Sequence, residues 1–391
     1  MANLNAREKF LASMAFHRDA PILKMEYGYW AGTIRRWYAE GLHAETPIPE
    51  SMGRGDSVRG EIMGFKPGGF VDRDIHDLFG MDDWLRRIPL NNFIYPHFEE
   101  ETLEDHGGWR IYRDEWAVVR RESKGRDTPT ALIRGPVESM QDWESIKEER
   151  LQPSMDGRLP QDWDRLCSEY ADRDYALILG GGHGFYGTPR YLIGDERLLV
   201  TFYDNPNLIH AINDHLCGLW IALYDAVLND TSADIALIWE DMCYKNGPLI
   251  SPTMFEVFLL PYYKRLCGFF KDHGIEVILV DTDGDARKLI PSFIEAGVTG
   301  LFPLEVSAGM DLVELGKAFP RFQLIGGVDK KALSKDQSAV DVELARIEAA
   351  LAKGGVIPSV DHLVPPDVSW ANFRYYRNRL NELIDRVNMS R

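Results

Sequence analysis

The feature that most restricts the fold is an alternation: short apolar runs end in glycine or an acid, and amphipathic helical stretches follow them, most regularly in the second half of the chain. The runs are LKMEYGY (23–29), YALILG (175–180), DIALIWE (234–240), IEVILVD (275–281), TGLFPLE (299–305), FQLIGGVD (322–329) and GGVIPSV (354–360). A helix between successive strands makes the sheet parallel, and seven or eight such units favour a closed (β/α)8 TIM barrel over a doubly wound sheet. No GxGxxG follows an early strand, which points the same way. Ser251 and Pro252 predict the start of a helix over 253–273, bent at Pro261 and closed by Gly274.

Residues 45–165 break the alternation. They are polar and rich in tryptophan and charge, and WRIYRDEWAVVRRE (109–122) is expected to form an antiparallel hairpin about Asp114. With no long apolar run of their own, they are an expected elaboration on one barrel domain spanning 1–391. That length, with 45% hydrophobic residues, suffices for a large core. A net charge of −17 without a dense basic patch argues against a nucleic-acid or anionic-membrane surface. The cysteines at 167, 217, 243 and 267 have no metal-like or disulfide-framework spacing, and Cys243 reads as a packed residue. No apolar run approaches the length of a membrane span, and the N-terminal stretch alternates charged and apolar residues at helical spacing, so a cytoplasmic protein is expected.

In a barrel the residues that end the strands converge on one mouth. Here they are Glu240 and Asp241, Asp281 and Asp283, Glu305, Asp329, then Asp361 and His362. So many carboxylates on one rim repel one another unless a cation, a shared proton or a polar ligand compensates, which marks a site. An acid there also caps the next helix or pairs with a basic neighbour, as Asp329 before Lys330 and Lys331 illustrates. The glycine-rich GGGHG (180–184) lacks a following GK[ST], so it reads as a close approach of backbone to ligand.

WEDMCYKNGPLISPTMF (239–255), VDTDGDARKLIP (280–291), GLFPLEV (300–306), LIGGVDKKAL (324–333) and SVDHLVPPDVS (359–369) resemble the uroporphyrinogen decarboxylase superfamily. The resemblance covers roughly 1–20 and 170–391, and implies a (β/α)8 barrel. Its members include porphyrinogen decarboxylases and methyltransferases that work with corrinoid proteins or coenzyme M. The decarboxylases carry an arginine-rich segment; PILKMEYGYWAGTIR (21–35) has Glu26 and Tyr27 where the first arginine and glutamine would fall, which argues against porphyrinogen decarboxylation. The zinc methyltransferases use H-x-C and a later cysteine; here Asp281 and Asp283 replace H-x-C, and His362 takes the place of the last cysteine.

The resemblance thus implies Glu240, Asp281, Asp283 and His362 as catalytic. Glu240, Asp283 and His362 form a candidate set for zinc or another divalent metal, with a metal-free shared proton as the other option. Candidate substrate contacts are Tyr29, Trp30, His183, Tyr186, Trp239, Asp241, Tyr244, Lys245, Asp329 and Asp361, whose aromatic members could sandwich a methoxyarene. The expected activity moves a methyl group from a methoxylated small molecule to cobalamin on a partner corrinoid protein, as in O-demethylase systems. A homodimer is expected as in relatives of this kind, and no corrinoid-binding module is evident in the chain. The competing readings are a metal-dependent lyase or hydrolase, and a binding protein using the same mouth.

Overall fold

The computed structural model describes residues 4–58, 70 and 72–390. Part of the expected 45–165 elaboration therefore lies outside the described residues. Seven parallel strands form the central sheet: β1 (Leu85–Arg87), β2 (Ala176–Gly180), β3 (Ile235–Trp239), β4 (Val277–Asp281), β5 (Gly300–Leu304), β6 (Gln323–Val328) and β7 (Val356–Val360). Their spatial order follows their sequence order, as in a barrel wound in one direction.

Alternation along these strands divides the core in two. Ala176 and Ile178, Ile235 and Leu237, Val277 and Leu279, Phe302, Ile325 and Ile357 form the inner cluster, whereas their neighbours Leu177, Ala236, Ile278, Leu301 and Leu324 pack outward against the helices. Strands buried on both faces read as continuous apolar runs.

Six of the seven expected strands are ladder strands of this sheet. The seventh, at 23–29, is an irregular stave: Leu23, Met25 and Tyr27 alternate into the inner cluster, but regular pairing starts only at Tyr29–Trp30, antiparallel to Ser57–Val58. This stave bridges β7 and β1. Val364 N–H donates to the Gly28 carbonyl, and Asp82 N–H to that of Lys24. Buried Glu26 accepts from Val360 N–H at 2.7 Å and pairs with buried Arg377 at 3.2 Å. The sequence reading missed β1, whose three residues leave almost no periodic signal.

The expected hairpin is present as Trp109–Arg113 and Val119–Ser123, and it belongs to a four-stranded antiparallel sheet with Glu101–Asp105 and Ala131–Arg134. Asp114 ties its turn by accepting from Trp116 and Val118 N–H. The helix expected over 253–273 opens on Ser251 and divides at Leu259 into Pro252–Phe258 and Leu260–Asp272, because Pro261 supplies no N–H to continue the ladder. Among the described residues no helix is long and apolar enough to cross a membrane.

Candidate functional site

A cavity of about 370 Å³ lies at the carboxyl ends of β3, β4 and β7. The barrel contributes Tyr27, Trp239, Asp241, Asp281, Asp283 and His362 to its wall. Asp281 pairs in register with Trp239 on the neighbouring strand, and both continue the inward-facing series of Leu279 and Leu237. His362 Nε2 stands 3.6 Å from Asp283 Oδ2, and its ring lies 5.3 Å from that of Tyr27.

The antiparallel sheet supplies a roof. Arg120 and residues 130–132 line the cavity from that sheet and the turn before its last strand, and Val118 joins the inner core. The helix Gly187–Ile193 brings Arg190 and Tyr191 to the wall, and Asp195 follows it. Tyr191 stacks on Trp239 with centroids 5.2 Å apart and planes 9° from parallel. Arg120 lies 5.2 Å from the Tyr191 ring and Arg190 lies 5.6 Å from the Trp239 ring, so two aromatics are flanked by two cations. Arg190 is held by Asp241 at 2.6 Å and Asp195 at 2.7 Å. Burial alone would lower the Arg190 guanidinium; these two carboxylates outweigh it and hold the guanidinium above its ordinary value. Asp241 itself is left-handed, with φ +45°, a strained conformation for a residue with a Cβ.

The structure brings together Trp239, Asp241, Asp281, Asp283 and His362 from the expected set, and it places the others elsewhere. Glu240 follows inward-facing Trp239, so alternation turns it outward, where it is 0% exposed. Its oxygens accept from the backbone N–H of Phe185 (2.8 Å), Tyr186 (2.6 Å) and Gly187 (2.8 Å) and from the Tyr263 hydroxyl (2.5 Å). Burial raises its carboxyl above the ordinary value, and these donors oppose the rise. Glu240 therefore pins the start of the helix carrying Arg190 and Tyr191 and does not reach the cavity. Within GGGHG, Gly184 makes a close approach to this carboxylate: a Cβ there would lie 2.6 Å from Glu240 Cδ and 2.3 Å from the Trp239 carbonyl oxygen.

His183 is buried between Phe93 and Trp116, and burial, with Arg87 nearby, lowers its pKa to about 3. Tyr186 packs on Phe202, and Tyr29 packs on Trp37 and Phe373. Trp30 sits 6.4 Å from the His362 ring, outside the cavity wall. Tyr244 and Lys245 are exposed to solvent. Asp329 caps the helix Lys330–Leu333 through Lys331 N–H. Asp361 is 0% exposed and accepts from Val306 and Lys330 N–H; burial pushes it up to about 6 although Lys330 opposes the shift.

The metal set of Glu240, Asp283 and His362 is not assembled, since the Glu240 oxygens are turned to three backbone N–H groups and the Tyr263 hydroxyl. Among the described residues no group of three or more His, Cys, Asp or Glu is arranged to hold an ion. Sequence reasoning missed Tyr27, Arg120, Arg190, Tyr191 and Asp195. Tyr27 had a signal, as the third member of the Leu23, Met25, Tyr27 alternation; the others reach the cavity only through tertiary packing.

Residues 132–383, well over half of the chain, match the model of the family described as uroporphyrinogen decarboxylase (URO-D). Uroporphyrinogen decarboxylases of Pseudomonas aeruginosa and Pseudomonas paraeruginosa are 26% identical over 194 residues, 47% of this chain. The match spans about half (51%) of the length of these relatives. A methyltransferase from Methanosarcina mazei superposes with a TM-score of 0.58 at 14% identity, covering 97% of this chain and 100% of that one, a likeness of fold.

Proposed function

The chain belongs to the uroporphyrinogen decarboxylase family, and on that premise we propose that it is a methyltransferase moving a methyl group from a methoxylated aromatic small molecule to the corrinoid of a separate protein. The observation that carries the reading is the His362–Asp283 pair, 3.6 Å apart beside an aromatic-walled cavity of about 370 Å³. A single-ring molecule matches the small end of ligand pockets, roughly 300–1,000 Å³. A corrinoid is far too large for it, so the acceptor would stay on its carrier and meet the donor at the mouth. There it would supply the nucleophile that takes the methyl group.

The chain's own residues do the rest. Tyr27 and Trp239 bound the ring, and the roof covers part of the cavity in which the ether sits. As the methyl–oxygen bond breaks, the oxygen keeps the electron pair and His362 gives it a proton, with Asp283 stabilising the charged imidazole. The family's decarboxylation is disfavoured: Glu26, where the substrate-binding arginine is expected, is locked in a buried pair with Arg377, and an acidic mouth repels a polycarboxylate.

The test is to mix the protein, a reduced corrinoid protein and a panel of methoxyarenes, following corrinoid absorption and release of the phenol. Transfer from at least one donor is expected, and failure across a broad panel overturns the proposal. Asp283→Asn and His362→Ala should each lower kcat by about 10²–10⁴-fold while donor affinity stays within a few fold. Unchanged kcat in both would remove the acid role.

A further inference from the structure

We infer that the donor this cavity selects carries a protonated amine on its methoxylated ring, and that carboxylated methoxyarenes are turned away. The inference rests on the methyl-transfer reading for the ether and on the cavity wall for the charge. Two arginines and His362, a cation in the methyl-transfer reading, stand in that wall against four aspartates, Asp195, Asp241, Asp281 and Asp283, which leaves the wall acidic. Both arginines are already engaged. Arg120 is held by Asp114 at 2.5 Å and lies on Tyr191; Arg190 is held by Asp241 and Asp195 and lies on Trp239. An incoming carboxylate would have to displace one of these contacts inside an acidic enclosure, where a concave, low-dielectric wall concentrates the field. A cation meets surplus negative charge and aromatic rings instead.

The wall also brings the two ends of such a donor within one cavity. His362 reaches Asp283 at 3.6 Å, and Asp283 follows β4, the neighbour of the strand that precedes Asp241. An ether held at His362 and Asp283 would therefore share its cavity with Asp241 and Asp195, the acids that hold Arg190.

The experiment compares three ligands of nearly equal shape on the wild-type protein: 4-methoxybenzylamine, 4-methoxybenzyl alcohol and 4-methoxybenzoate. Calorimetric titration measures affinity, and the transfer assay runs in parallel. The amine should bind about tenfold tighter than the alcohol, the scale expected of one partly screened charge pair. The benzoate should bind more weakly still, and the amine's advantage should shrink as salt rises. Asp241→Asn should narrow the gap between amine and benzoate. Benzoate binding as tightly as the amine, or equal affinity for amine and alcohol, would overturn the inference. The expected binding order without transfer from any donor would sink the methyl-transfer reading and leave the charge selectivity standing. Transfer from the benzoate at the amine's rate would sink the charge selectivity alone.

Discussion

Tyr263→Phe separates a structural Glu240 from a chemical one. The substitution removes the hydroxyl that donates to Glu240 Oε1 at 2.5 Å and keeps a ring packed against Phe185, Phe255 and Phe293. Little else changes, because both residues are 0% exposed. A hydrogen bond to a charged acceptor contributes about 1.5–3 kcal/mol net. At about 2 cal/mol/K per residue, 391 residues give an unfolding entropy of roughly 0.8 kcal/mol/K, so Tm should fall by about 2–4 °C. Urea denaturation followed by tryptophan fluorescence reads the free energy directly, and the slope against urea should be unchanged. Because the helix Gly187–Ile193 starts on the same carboxylate, donor KM should rise more than kcat falls. A variant as stable as wild type that nonetheless loses kcat by orders of magnitude would refute the reasoning, since Glu240 would then act on the reaction.

Three further outcomes follow from the geometry. Asp361 titrates near 6 when folded because it is buried, and near 3.8 when its ordinary value applies. Between those values the folded state binds the extra proton, so this group's contribution to stability falls by about 3 kcal/mol as pH rises from about 4 to 6; denaturation of Asp361→Asn across that range should show a flatter profile. Gly184→Ala forces a Cβ to within 2.3 Å of the Trp239 carbonyl oxygen, and should cost about 3 kcal/mol or more by denaturation midpoint. Arg120→Ala leaves partly buried Asp114 without its guanidinium partner and should destabilise by about 3 kcal/mol, with donor KM raised because the roof loosens; an unchanged KM would detach the roof from binding.

The barrel was legible because its strands from β2 onward are buried on both faces and are mostly apolar, with few polar residues such as Gln323 and Ser359 among them. β1 was not, being three residues long and flanked by irregular chain. The strand ends pointed to Asp281, Asp283 and His362, which line one cavity, yet the same rule gathered Glu240, Asp329 and Asp361, which backbone N–H groups claim. The difference between a cavity acid and a capping acid is one of phase. A single step along the chain separates Trp239, facing in, from Glu240, facing out, and composition at a strand end does not encode that step. The roof residues were hidden for another reason: Arg120 looks like any exposed charge in an alternating hairpin until the sheet is set over the mouth.

The pair Glu26 and Arg377 has a bearing on how the molecule comes into being. These partners are separated by 351 positions along the polypeptide, so a nascent chain leaving the ribosome carries its first stave long before the strand and helix that lock it are made. Until then Leu23, Met25 and Tyr27 have no completed interior to enter, and non-local closure of this kind is slow and exposes apolar surface. Assembly of this barrel is therefore expected to wait for the strand and helix around Val360 and Arg377, with the segment around residue 25 as the portion in most need of a chaperone until they are made.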